Sequence, residues 1–142
     1  MKHQQQQQRA EWTLRLQGAW HKTAEVARAI GGPRWFKPAA IIPMPMTVVH
    51  DGLRDAHVWR VRHWGIYQEP VRVFWSRDPD GAYRMDAVGG EGVPVSLFKH
   101  ASALWPDVTF TLEWNGPNGA TSQCWHNGAS IDAINQKEKE FA

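Results

Sequence analysis

At 142 residues, 42% hydrophobic and a net charge of +2, the chain has the size of one domain and can bury a core without help from a metal or a disulfide. Its one cysteine, Cys124, excludes an intramolecular disulfide and a cysteine-based zinc site, and points to a reducing compartment, the cytoplasm. No apolar run approaches the roughly 18 residues of a membrane span, so no membrane partner is expected.

The small net charge hides an asymmetry. Residues 1–72 carry eleven Lys and Arg against five Asp and Glu, whereas residues 73–142 carry five against nine. Such a split points to a charged partner unless folding interleaves the halves and cancels the field. Nine tryptophans are a second unusual feature. Each indole buries a large area and brings one N–H to satisfy, so a packed core is their first expected use and a surface aromatic platform the second.

Residues 1–10 contain the run Gln4 to Gln8 and read as a disordered Gln-rich tail, because glutamines offer nothing to bury. Trp12, Leu14 and Leu16 then alternate with Thr13, Arg15 and Gln17, the period of a half-buried strand that ends at Gly18. Trp20, Ala24, Ala27 and Ile30 follow at helical spacing and are expected to share a face, with Gly31-Gly32 and Pro33 as the stop. Residues 33–46, rich in proline, read as a loop whose Trp35, Phe36, Ile41 and Ile42 cover the core. Thr47 to Val49 predicts a short strand. Val58 to Trp64 predicts another, with Trp59 and Val61 on one side and Arg60 and Arg62 on the other.

Val71, Val73 and Trp75 alternate with Arg72, Phe74 and Ser76, and the turn Asp78-Pro79-Asp80-Gly81 leads into a second arm with Tyr83, Met85 and Ala87 on one face. This is a β-hairpin. After the flexible Gly89-Gly90-Glu91-Gly92, Pro94 opens a helix with Leu97, Ala101 and Leu104 on its stripe, closed by Pro106. Val108, Phe110, Leu112 and Trp114 give the cleanest strand in the chain. A turn at Gly116-Pro117-Asn118-Gly119 returns it as an edge strand over Thr121 to His126, and residues 135–142 form a charged C-terminal tail.

The class is therefore α+β. The order of strand, helix, paired strands, helix and strand is the ferredoxin-like β-α-β-β-α-β arrangement, an antiparallel sheet with both helices on one face. An extra C-terminal edge strand is expected, in a single domain over residues 11–134.

Several short motifs carry a family resemblance. Ile41-Ile42-Pro43-Met44-Pro45 follows the first helix, Trp64-Gly65 comes later, and Val93-Pro94 leads a helix that ends at Leu104-Trp105-Pro106 before Val108-Thr109-Phe110-Thr111-Leu112. Over roughly residues 11–128 the chain resembles the YubB-like ferredoxin-fold domain of phage and plasmid proteins. It departs from that family at Ile66-Tyr67-Gln68, where Thr-Lys-Trp is usual. The resemblance implies a ferredoxin-like fold and a mobile-element origin, and it implies no reaction.

The chemistry-bearing residues make no recognisable catalytic set, and no metal or other cofactor is expected. His57 and His63 lie six apart, too far to share a metal unaided. Cys124 and His126 share a strand face but sit about 7 Å apart at Cα, awkward for a nucleophile and its base. Asp78 and Asp80 are explained by turn chemistry, and Asp86 alone makes no metal site. Gly89-Gly90-Glu91-Gly92 opens a helix without the following Lys-Ser or Lys-Thr of a phosphate loop, and Glu91 would repel an anion.

What remains is binding. Arg60, Arg62, Trp64, Arg72 and Phe74 are the binding candidates, because aromatics and arginines dominate interface hot spots. The leading expectation is a non-enzymatic protein that binds a host protein or nucleoprotein complex, with inhibition of a defence system as the analogy from other small mobile-element proteins. The alternative is direct single-stranded nucleic-acid binding, with the same rings stacking on bases beside basic side chains. An enzyme of unknown type is third.

Overall fold

The computed structural model describes residues 11–32, 35–50 and 52–131. The tails expected over residues 1–10 and 135–142, and the domain end at 134, lie outside the described residues. In chain order the elements are β1 (Trp12–Gln17), α1 (Trp20–Ile30), β2 (Gly31–Gly32), β3 (Trp35–Phe36), a 3-10 turn (Pro38–Ala40), α2 (Met46–His50), α3 (Leu53–Trp64), β4 (Arg72–Arg77), β5 (Tyr83–Val88), α4 (Val95–Leu104), β6 (Thr109–Gly116), β7 (Gly119–His126) and β8 (Ala129–Ser130). The fold is α+β.

Six strands form one antiparallel sheet in the order β4-β5-β1-β6-β7-β8, and β2 and β3 make a separate two-residue ladder. Alternation sets the inward face. Leu14 of β1 stands between Met85 and Leu112, and Leu16 lies beside Phe110, which faces Trp125 across the next ladder. All six are buried. Val26, Ala27 and Ile30 of α1 and Leu97, Phe98 and Ala101 of α4 close the same core, so both helices cover one face of the sheet. Trp12, Phe36 and Phe98 meet at its centre with ring centroids 5.4–5.5 Å apart. Of the nine tryptophans, Trp12, Trp64 and Trp125 are buried and Trp59, Trp75, Trp105 and Trp114 pack partly buried against the core. Trp20 and Trp35 stand about two-thirds exposed.

Two expected strands are helices. Thr47 to Val49 lies in α2, where the Val48 N–H donates to the Pro45 carbonyl at 3.1 Å. Its β-branched residues favour strands only weakly, and the local turn after Pro45 prevails. Val58 to Trp64 lies in α3. The apparent alternation there was a coincidence of composition: Ala56, Trp59, Arg60, His63 and Trp64 form a half-buried to buried stripe at spacings of three and four. A third correction concerns α1, whose buried face runs through Thr23, Val26, Ala27 and Ile30, turning Trp20 outward.

The end of α3 is fixed by Gly65 in the left-handed region (φ 74°), whose N–H is shared by the carbonyls of Arg60 and Val61. Gly92 (φ 91°) passes so close that an added Cβ would lie 2.5 Å from the Gly65 carbonyl oxygen. The glycines before α4 thus serve a close backbone crossing. Among the described residues no helix is long and apolar enough to cross a membrane.

Candidate functional site

Helices cover one face of the sheet; on the other, among the described residues, the outward side chains set by the same alternation are all exposed or half-buried. β1 contributes Thr13 and Arg15, with Arg84 and Asp86 on one flank and Thr111 and Glu113 on the other. These groups bond to one another. Arg15 Nε donates to Asp78 Oδ2 at 3.0 Å, its Nη2 to Asp80 Oδ2 at 2.8 Å, and its Nη1 lies 3.8 Å from Glu113. Arg84 Nε donates to the Asp86 carboxylate at 3.0 Å, and the Thr13 hydroxyl donates to the same carboxylate at 2.7 Å. The hydrogen bond and charge of Asp86 hold the Arg84 guanidinium above its ordinary pKa. Asp78 and Asp80 also build the hairpin turn: Asp80 accepts from the Ala82 N–H at 3.0 Å, and the Asp78 N–H donates to the Ala82 carbonyl at 2.8 Å.

A shallow groove of about 530 Å³ crosses the end of this face, between Glu11, Thr13, Asp86, Glu113 and Ser122. Of its carboxylates, Asp86 and Glu113 belong to the pairs just described, and Glu11 does not. Farther along, the Thr111 hydroxyl donates to Cys124 Sγ at 3.3 Å, and Thr109 Oγ1 lies 3.3 Å from His126 Nδ1. Both members of the Cys-His pair weighed from the sequence are thus engaged with neighbouring threonines of β6. Among the described residues no three His, Cys, Asp or Glu side chains gather as a metal site needs.

The five binding candidates do not form one cluster by shared strand geometry. Arg60, Arg62 and Trp64 stand on helix α3, and Arg72 and Phe74 on strand β4. Trp64 is 4% exposed, and its indole N–H donates to the Ile42 carbonyl at 2.8 Å. It is a core residue with no ring face for a base, which corrects the expectation of a stacking residue. Arg62 is exposed, whereas Arg60 is half-buried with its Nε enclosed and, among the described residues, lacking a hydrogen-bond partner. Arg72 and Phe74 do belong together: both are exposed on the outward face, with the guanidinium 6.0 Å from the ring centroid.

Sequence reasoning missed the role of Arg77. Its guanidinium lies 3.6 Å from the Trp20 ring centroid and 4.2 Å from that of Tyr83. It donates to Thr23 Oγ1 at 2.8 Å, to the Gly81 carbonyl at 3.0 Å and to the Trp20 carbonyl at 3.2 Å. The signal was an inward-parity arginine at the end of an otherwise apolar strand face. Also missed was Val71, 76% exposed just ahead of β4.

No family model matches the chain, and no curated protein matches it. Among solved structures, a protein api92 from Yersinia pseudotuberculosis, of the DUF1281 family, is similar with a TM-score of 0.55 at 19% identity. The match covers 66% of this chain and 37% of that one. At that identity the likeness bears on the fold alone, and the chain corresponds to little more than a third of its neighbour's length.

Proposed function

We propose that the chain is a non-enzymatic, cytoplasmic binding module that docks on a protein partner through the sheet edge at Arg72 and Phe74, with Arg62 of α3 as a second charged contact. The inner strands run β4-β5-β1-β6 with α1 and α4 as crossovers, which supports a ferredoxin-like reading of the fold. The YubB-like resemblance adds a phage or plasmid origin, a host protein or nucleoprotein as the partner, and inhibition of host defence as the biological outcome.

One observation carries the choice of partner class: the arginines at the centre of the outward face are neutralised within the molecule. Arg15 and Arg84 spend their charge on Asp78, Asp80, Asp86 and Glu113. A phosphate backbone would have to displace these carboxylates. A base-stacking platform also needs successive rings, and among the outward positions of β1, β4, β5, β6 and β7 the sequence places a single Phe, Tyr or Trp, Phe74. Direct single-stranded nucleic-acid binding remains the second reading, favoured by the Arg72–Phe74 pair alone.

The test is affinity capture from host lysate after nuclease treatment, comparing the wild type with the double variant Arg72→Glu, Phe74→Arg. A protein retained by the wild type and lost by the folded variant is the expected result. Retention that disappears on nuclease treatment alone would favour the second reading.

A further inference from the structure

Helices α2 and α3 meet along a groove of about 210 Å³ lined by Val48, Asp55, Val58, Trp59, Arg62 and His63. The five residues from α3 fall at i, i+3, i+4, i+7 and i+8, so they form one stripe along the helix. Asp55 and Arg62 stand exposed toward its two ends, about 10.5 Å apart along the axis at 1.5 Å per residue. Neither forms an ion pair among the described residues. Between them Val58 is 51% exposed. Trp59 is half-buried and held in place: its ring lies beside His63 with centroids 4.5 Å apart and meets the buried Trp64 edge-on at 5.3 Å. A drug-sized ligand fills about 300–1,000 Å³, so this groove suits the side chains of a packing helix better than a whole small molecule.

We infer that the groove takes the α3 stripe of a second copy of the chain, the two helices lying antiparallel about a two-fold axis. Charge chooses this occupant, because the stripe is its own complement. Acid, apolar pair and base follow one another as Asp55, Val58-Trp59 and Arg62, and the midpoint of Asp55 and Arg62 is also the midpoint of Val58 and Trp59. A two-fold axis at that point sets Asp55 of each copy against Arg62 of the other, and Val58 of each against Trp59 of the other. A parallel pair would instead set Asp55 against Asp55 and Arg62 against Arg62. The antiparallel contact supplies both missing counter-charges at once and takes Val58 out of water. Arg62 is also the second charged contact of the docking surface proposed above, so self-association and partner binding compete for it. Arg72 and Phe74, on β4, lie outside this contact.

The test is sedimentation equilibrium of the full chain from about 1 μM to 1 mM, the range of small interfaces. A reversible monomer–dimer equilibrium is expected. Arg62→Asp or Asp55→Arg alone sets like charges together at both symmetry-related contacts and should weaken dimerisation about tenfold or more. Mixed in equal amounts, these two variants should form a heterodimer, because every contact then joins opposite charges. The double variant Asp55→Arg, Arg62→Asp should dimerise again for the same reason. Restoration needs both chains folded, so loss of folding cannot mimic it. A wild type that stays monomeric throughout, a dimer that survives either single reversal, or reversals that do not complement one another would overturn the inference. A dimer dissolved by Phe74→Arg and not by Arg62→Asp would also overturn it and assign the contact to β4. The readout is the mass of the purified chain, so it is separate from lysate capture. A monomer whose capture still depends on Arg72 and Phe74 removes this interface alone, and capture that proves to be through nucleic acid removes the protein-binding reading alone.

Discussion

Arg77 shows how one side chain can join two elements. It lies between the rings of Trp20 and Tyr83 and donates to Thr23, Gly81 and Trp20, so the β4–β5 hairpin is fastened to the first turns of α1. A lysine keeps the charge but loses the planar fork and its stacking. Arg77→Lys should therefore cost about 1–2 kcal/mol, read as a shift in the urea midpoint at unchanged slope. Phe110 is fully buried against Phe98, with ring centroids 6.5 Å apart. Phe110→Ala should cost about 3–5 kcal/mol by opening a cavity, and a near-neutral result would mean that the strand register is wrong. Trp64→Phe keeps most of the apolar volume but leaves the Ile42 carbonyl without its donor. About 1 kcal/mol of destabilisation is expected by the same measurement, with no change in binding.

Five of the six strands of the sheet and the helices α1 and α4 were legible in the sequence, because each buries one face and exposes the other; the two-residue β8 is too short to show a period and was not. β6 is the clearest case, with Phe110 and Leu112 inward and Thr111 outward. α3 was not legible. Its partly buried positions extend around more than one face, so the helical stripe through Ala56, Trp59, His63 and Trp64 competed with the strict alternation of Arg60 and Arg62 against Trp59 and Val61. The better signal was the pair of brackets, Gly52 and Gly65, with the twelve helical residues between them. Gly65 makes a testable cap. In Gly65→Ala the positive φ alone should cost about 1–2 kcal/mol, and the new Cβ would meet the Val93 carbonyl at 3.2 Å. Gly92→Ala should be worse, because its Cβ would be driven against the Gly65 carbonyl itself. Thermal unfolding of both variants checks the order.

At the scale of the whole molecule, folding interleaves the two charge halves. Arg15 from the basic half reaches Asp78, Asp80 and Glu113 from the acidic half, because β1 enters the sheet between β5 and β6. The candidate site was legible only in part for the same reason. Arg72 and Phe74 are two apart on one strand and were placed together by simple parity, whereas the partners of Arg15 depend on cross-strand register and turn placement. Trp64 was misplaced because a strand was expected where a helix forms. On the function proposed above, binding centres on protein contacts at the β4 edge, while the arginines at the centre of the outward face are held in ion pairs within the molecule. The most direct test of that proposal is a titration of fluorescent single-stranded oligonucleotides against wild type, Phe74→Ala and the triple variant Arg60→Ala, Arg62→Ala, Arg72→Ala at several salt concentrations. Binding weaker than about 1 μM at physiological salt, with no dependence on Phe74, is the expected result. Sub-micromolar affinity that falls by about 1–3 kcal/mol on Phe74→Ala, with a salt slope flattened by roughly two units in the triple variant, would contradict it.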